Sequence, residues 1–177
     1  MKKHNSSNWI WILMIFASLI SPLSAFGSGE TILFHLKTSS DRDDAQLCVA
    51  YNVIWAALEE GMNVNVLIDA DAVNTYKKKW LSEKDDFQDF ELPERPRKRL
   101  SEEFNVSLTE VPKSYGEYLD MLHKKGGKFY INGEMLVVSK ISESFGDMRQ
   151  IPTKFFTPIT VREMVKLRQR AKLYMVY

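Results

Sequence analysis

Between Thr31 and Asp69 the period of the apolar positions changes twice. Ile32, Leu33, Phe34 and Leu36 form a near-continuous apolar run, as expected of a strand covered on both faces. A polar turn, S-S-D-R-D-D, follows. Apolar residues then recur at helical spacing through Ala45, Cys48, Val49, Val53, Ala56 and Ala57. Asp41, Asp43 or Asp44 is placed to cap this helix, where a negative charge suits the positive helix end. Tyr51, Ile54, Trp55 and Leu58 widen its apolar surface toward the sheet and a neighbour. Gly61 stops the helix, and Val64, Val66, Leu67 and Ile68 make a second apolar strand. Strand, crossover helix, strand is one βαβ unit, which implies a parallel sheet with helices packed on it.

Beyond Asp69 the pattern loosens. Ala72 to Trp80 reads as a helix whose Lys77, Lys78 and Lys79 face water. Residues 81–113 read as a charged insertion or surface excursion, in which Pro93 and Pro96 exclude a continuous helix and Leu100 to Phe104 make a short turn of one. Tyr115, Tyr118, Leu119 and Leu122 share a helical face that Gly126-Gly127 closes. Lys128 to Ile131 is a third strand, Asn132-Gly133-Glu134 a tight turn, and Met135 to Ile141 another helix. Gly146 to Phe156 is irregular or holds a short fourth strand. Thr157-Pro158 or Thr160 opens the last helix, and Lys172 to Tyr177 ends the chain as a strand. This alternation predicts a single open, mostly parallel α/β sheet of about five strands flanked by helices, layered like a flavodoxin. Ligands of such sheets gather beyond the carboxyl ends of the strands, here Lys37 to Asp41, Asp69 to Asp71 and Asn132 to Glu134.

Composition adds a compartment. Residues 1–25 start with Lys2 and Lys3, continue in a short apolar run from Trp9 to Ile20, and break at Ser21-Pro22 before small residues suited to cleavage. That is the three-part pattern of a signal peptide, and the run is shorter than the roughly 20 residues a membrane span needs. The expected product is an exported domain over residues 26–177 with no stable membrane insertion after signal removal, periplasmic if the source is Gram-negative. The formal charge of +1 on 177 residues argues against nucleic acid as a partner. The basic cluster Arg95, Arg97, Lys98 and Arg99 is diluted by Glu91, Glu94, Glu102 and Glu103 and reads as solvated surface.

Four segments resemble the DsrE/DsrF-like family of small sulfur-relay proteins. I-L-F-H-L-K-T-S-S-D is similar to its first strand and loop, and E-E-G-M-N-V-N-V-L-I-D-A-D-A-V to its helix-glycine-strand step. L-H-K-K-G-G-K-F-Y-I-N-G is similar to the segment that carries the family's cysteine. R-E-M-V-K-L-R-Q-R-A-K-L-Y-M-V-Y is similar to the closing helix and strand. The resemblance spans most of the chain after residue 25 except 81–113. It implies an open α/β domain and assembly into a homo-oligomer or with related subunits. Sulfur-carrying members place a cysteine just after the strand matched by Phe129 to Ile131. Asn132 and Gly133 stand there instead, and neither can hold a persulfide.

Two functional readings follow. In the first, the chain is a non-catalytic module that binds a small ligand or a partner at Asn132, Gly133 and Glu134. That turn opens a helix whose free N–H groups would favour an anion. Trp55, Trp80 and the tyrosine-rich helix at 115–122 would supply an interface. In the second, Cys48, the single cysteine, is a working thiol with His35 as its base, in a sulfur-handling or redox protein. Asp69 and Asp71, with Asp41, Asp43 and Asp44 beside them, match no recognised calcium loop, and no metal is expected. No P-loop, G-x-G-x-x-G, G-x-S-x-G or H-E-x-x-H occurs, and no cofactor is implied.

Overall fold

A computed structural model describes residues 29–79, 85 and 87–177. The expected signal peptide and Trp80 lie outside them. Five parallel strands form one open sheet: β1 (Thr31–Leu36), β2 (Asn63–Ile68), β3 (Lys128–Asn132), β4 (Thr157–Ile159) and β5 (Leu173–Val176), in the order β4-β3-β2-β1-β5. The open α/β fold read from the alternating pattern is therefore the fold of the protein.

The chain walks outward from β1 to β4 and then jumps back past β1 to β5. Right-handed crossovers put the helices of the outward walk on one face and the returning helix on the other. Accordingly α1 (Asp44–Glu59) and α3 (Tyr115–Lys124) pack on one face, over Phe34, Val66, Ile68 and Phe129. On the other face, α5 (Val161–Arg170) lays Met164 and Leu167 over Leu33, Leu67 and Ile159. The strand order reverses between β1 and β5, which makes the carboxyl ends of these two strands the crevice where a ligand would sit.

Local chemistry explains the element boundaries. Asp43 accepts the Gln46 N–H at the start of α1, and Gly61 closes that helix at a φ of 73° that a side chain would resist. Thr160 and Glu163 form a reciprocal capping box for α5. Thr157–Ile159 is thus the fourth strand rather than a helix start, one turn later than the 146–156 stretch suggested. After β2 the chain forms a 3-10 helix, Ala70–Tyr76, in place of the helix read from Ala72.

The 81–113 stretch corrects the expectation of a surface excursion. Phe87, Leu92, Leu100 and Val111 are buried in the main core. Pro96 falls in the first turn of α2 (Glu94–Glu103), where its missing N–H would have had no helical partner, so it is tolerated there. Arg97 is not solvated surface either. Its guanidinium donates to the carbonyls of Leu108, Val111 and Pro112 at 2.9–3.0 Å and pins the following loop. The interface aromatics are likewise absorbed. Trp55 stacks on Phe104, with ring centroids 3.9 Å apart, and Tyr51, Tyr115 and Tyr118 pack edge-on in the same core. Buried rings of this kind cannot serve an interface.

Candidate functional site at the carboxyl edge of the sheet

Alternation along β1 puts His35 on the same face as Leu33, the face that α5 covers. Asp69 follows the last residue of β2, Asn132 ends β3, and Tyr174 lies on β5. These four side chains come from four adjacent strands and join into one hydrogen-bonded row. His35 Nε2 stands 3.0 Å from Asp69 Oδ2, and His35 Nδ1 stands 2.7 Å from the Tyr174 hydroxyl. Asn132 Nδ2 donates to Asp69 Oδ1 at 2.7 Å. An ionised carboxylate only accepts, so Nε2 carries a hydrogen toward Asp69. In the neutral imidazole Nδ1 is then the acceptor, and the phenol O–H donates to it.

Asp69 is strongly held. The hydrogen bond from His35, followed by those from Asn132 and the Ala70 N–H, outweighs partial burial and lowers its pKa from an ordinary 3.8 to about 2. Ala70 adopts a φ of 49°, a left-handed conformation that costs a non-glycine residue energy, right beside this carboxylate. The row is mostly covered at its centre, where His35 and Asp69 expose 13% and 15% of their side chains. At its β5 end Tyr174 reaches the surface, 37% exposed, with the Arg168 guanidinium 4.2 Å above its ring centre. The Arg168 guanidinium presents donors and positive charge to an incoming anion, and the phenol can donate to the same anion only by turning its one hydrogen away from Nδ1.

The residues expected from the sequence meet different fates. His35 and Asn132 both belong to the row. Asn132 Oδ1 also accepts the Glu134 and Met135 N–H groups, at 3.0 Å each, capping α4 (Gly133–Val138). Two of the N–H groups expected to greet an anion are therefore already occupied. Gly133 is buried because the Phe145 ring lies where a Cβ would project, 2.7 Å away, and Glu134 is exposed. Cys48 is half-buried against the main core on the α1 side. The pairing of Cys48 with His35 is not formed: the sheet separates them, and both imidazole nitrogens are engaged elsewhere.

The sequence places Asp69 at the carboxyl end of the second strand but not as a partner of His35, and places Tyr174 and Arg168 only within the closing helix and strand. Tyr174 lies 139 residues from His35. Its place beside β1 depends on a strand order that local patterns do not encode. The other acidic residues have structural work: Asp43 caps α1, while Asp71 accepts from Ser39 and pairs with Arg42 at 2.8 Å. Among the described residues no three His, Cys, Asp or Glu side chains gather as a metal site, and no helix is long and apolar enough to cross a membrane.

Two larger concavities lie away from the row. One, of about 520 Å³, sits under the amino ends of the strands near Thr31, Asn63 and Lys128, the end that parallel sheets seldom use for ligands. The other, of about 1000 Å³, runs past Lys77, Lys140 and Arg149, and there Arg149 is already tied to Asp147 and Glu143 at 2.9 and 3.0 Å. Neither any protein-family model nor any curated protein sequence matches this chain.

Proposed function

We propose that this chain is an exported, non-catalytic binding module of the sulfur-relay type of fold, in which the His35-centred row takes the place of a carrier thiol and receives a small anion. The observation that carries this reading is the continuous row Tyr174–His35–Asp69–Asn132 across the strand-order reversal, with Arg168 over its exposed end. Its exposed end is preorganised, since Arg168 lies over a Tyr174 ring that His35 holds, Asp69 fixes the imidazole and Asn132 fixes Asp69. The likeness of the four segments supports the kinship, and the missing cysteine after β3 supports the change of chemistry. The rival reading, sulfur handling by Cys48 with His35 as base, lacks its base: His35 is bonded to Asp69 and Tyr174.

A thermal-shift series with sulfate, phosphate, sulfite, thiosulfate and acetate tests this function. At least one anion should raise the melting temperature of the wild type. Tyr174→Phe and Arg168→Gln should each reduce that response, and Cys48→Ser should leave it intact. A response that survives Tyr174→Phe but vanishes in Cys48→Ser would overturn the proposal, as would the absence of any anion response.

A further inference from the structure

The last seventeen residues differ from the rest of the surface in two respects at once. Six of the eleven large apolar side chains that stand out of the described surface lie here: Val161, Val165, Leu173, Tyr174, Met175 and Val176. The same stretch holds five basic residues, Arg162, Lys166, Arg168, Arg170 and Lys172, against one acidic residue, Glu163. Glu163 is committed to the capping box, Arg168 lies over Tyr174, and Lys172 pairs with Glu30. Arg162, Lys166 and Arg170 make no ion pair among the described residues. Residues 161–177 thus carry a local charge of +4 in a chain whose total is +1.

The geometry makes this a strip rather than a scatter. Val161, Val165 and Arg168 share one stripe of α5 at helical spacing. Because Arg168 lies over Tyr174, that stripe borders β5. Among the described residues β5 closes the sheet with no strand beyond it, and all four of its residues are exposed. An edge strand presents unpaired backbone N–H and C=O groups, and proteins usually guard such edges with charge, proline or brevity. The opposite edge, β4, is three residues long and contains Pro158. β5 is only one residue longer, but its sequence, Leu-Tyr-Met-Val, has neither charge nor proline within it.

We propose that the β5 edge, with the bordering stripe of α5, docks an extended acidic and apolar segment of a partner protein, which adds a strand to the sheet. Backbone pairing along β5 gives the register; the added strand's acidic side chains, on the face that α5 covers, meet Arg162, Lys166 and Arg170, and its alternate apolar side chains, on the opposite face, meet Leu173 and Met175. Other occupants fit less well. A second copy paired about a two-fold axis would bring two +4 strips together. The chain's own residues 1–28 contain Lys2 and Lys3 and no acidic side chain, so they offer no charge match. An anionic lipid surface would suit the charge, but its hydrocarbon cannot satisfy the hydrogen-bonding groups of the edge. This proposal does not rest on the anion reading of the His35 row, although Tyr174 and Arg168 belong to both surfaces.

The experiment titrates ¹⁵N-labelled protein with a synthetic peptide alternating Val and Glu, and with its Val–Lys counterpart. Sedimentation of the protein alone, and flotation with phosphatidylglycerol–phosphatidylcholine vesicles, are run beside it. The Val–Glu peptide should shift and protect the amides of residues 173–176, bind at least tenfold more tightly than the Val–Lys peptide, and weaken with added salt. Charge reversal by Arg162→Glu, Lys166→Glu and Arg170→Glu should weaken it at least tenfold. The salt dependence of the wild type gives the same answer should that variant fail to fold. Equal binding of both peptides, no binding of either, vesicle binding without peptide binding, or a self-associated dimer that blocks the edge would each overturn the proposal.

Discussion

At the scale of single residues, the strongest statement concerns Asp69. Its folded pKa of about 2 lies below the ordinary 3.8, so the ionised carboxylate favours the folded state. That contribution, of order 2 kcal/mol, is fully present above about pH 4 and is lost as pH falls through about 2. Asp69→Asn removes it. The stability gap between wild type and variant should therefore shrink as the pH is lowered from 5 to 2 in denaturant titrations. A gap independent of pH would show that Asp69 is not held as described. His35→Phe should move the Asp69 carboxyl titration, followed by ¹³C NMR, back toward its ordinary value, because the His35 hydrogen bond is the largest cause of the shift. Ala70 offers an independent probe. Its left-handed φ of 49° suits glycine, so Ala70→Gly should be neutral or stabilising by up to about 1 kcal/mol, where glycine elsewhere in an ordered segment destabilises. These residues also show what the sequence hid. His35 was legible as a histidine on a core strand, but its partners Asp69 and Tyr174 lie 34 and 139 positions away, beyond the reach of any local pattern.

At the scale of elements, the row and the fold share parts. Asn132 braces Asp69 and caps α4 with the same side chain. Asn132→Ala should cost about 1–2 kcal/mol of stability and also raise the Asp69 pKa. Asn132→Asp keeps a capping oxygen but brings a second carboxylate against Asp69, so it should restore less than full stability at neutral pH and more in acid. Close approaches set other limits. A Cβ at Gly116 would lie 2.7 Å from the backbone carbonyl oxygen of Gln88, which cannot yield without moving the chain. At Gly133 the obstacle is the tip of the half-exposed Phe145 ring, which can rotate away. Gly116→Ala should therefore destabilise by about 1–3 kcal/mol and Gly133→Ala by clearly less, as read by chemical denaturation. The elements themselves were largely readable. The apolar run of β1, the helical period of α1 and the Tyr115 to Leu122 face each dictate one element, because each buries the side chains its pattern exposes to a neighbour. Reading failed where tertiary packing or helix-end chemistry overrode composition. Charged flanks mask the burial of Phe87, Leu92 and Leu100, and Pro96 has the look of a helix breaker although a first turn accepts it.

At the scale of the whole molecule, one topological fact organises the rest. Among the described residues, the return from β4 to β5 places α5 alone on the second face and leaves β5 at the edge of the sheet. It also brings a tyrosine and an arginine from the end of the chain to a histidine near its beginning. The N-terminal pattern leads to a separate expectation: expression in a Gram-negative host should yield a periplasmic protein whose intact mass lacks about the first 25 residues, and retention of the full mass in the cytoplasm would contradict export. The central claim is that the functional centre is the His35 row and not the thiol. The imidazole ¹⁵N spectrum of His35, recorded free and with the anion that gives the largest thermal shift, tests it most directly. The account predicts a pyrrole-type Nε2 and a pyridine-type Nδ1 in the neutral ring, with Nδ1 and the Tyr174 resonances moving on anion addition while Cys48 stays unchanged. A ring protonated on Nδ1 instead, or an anion that moves Cys48 and leaves His35 untouched, would contradict it.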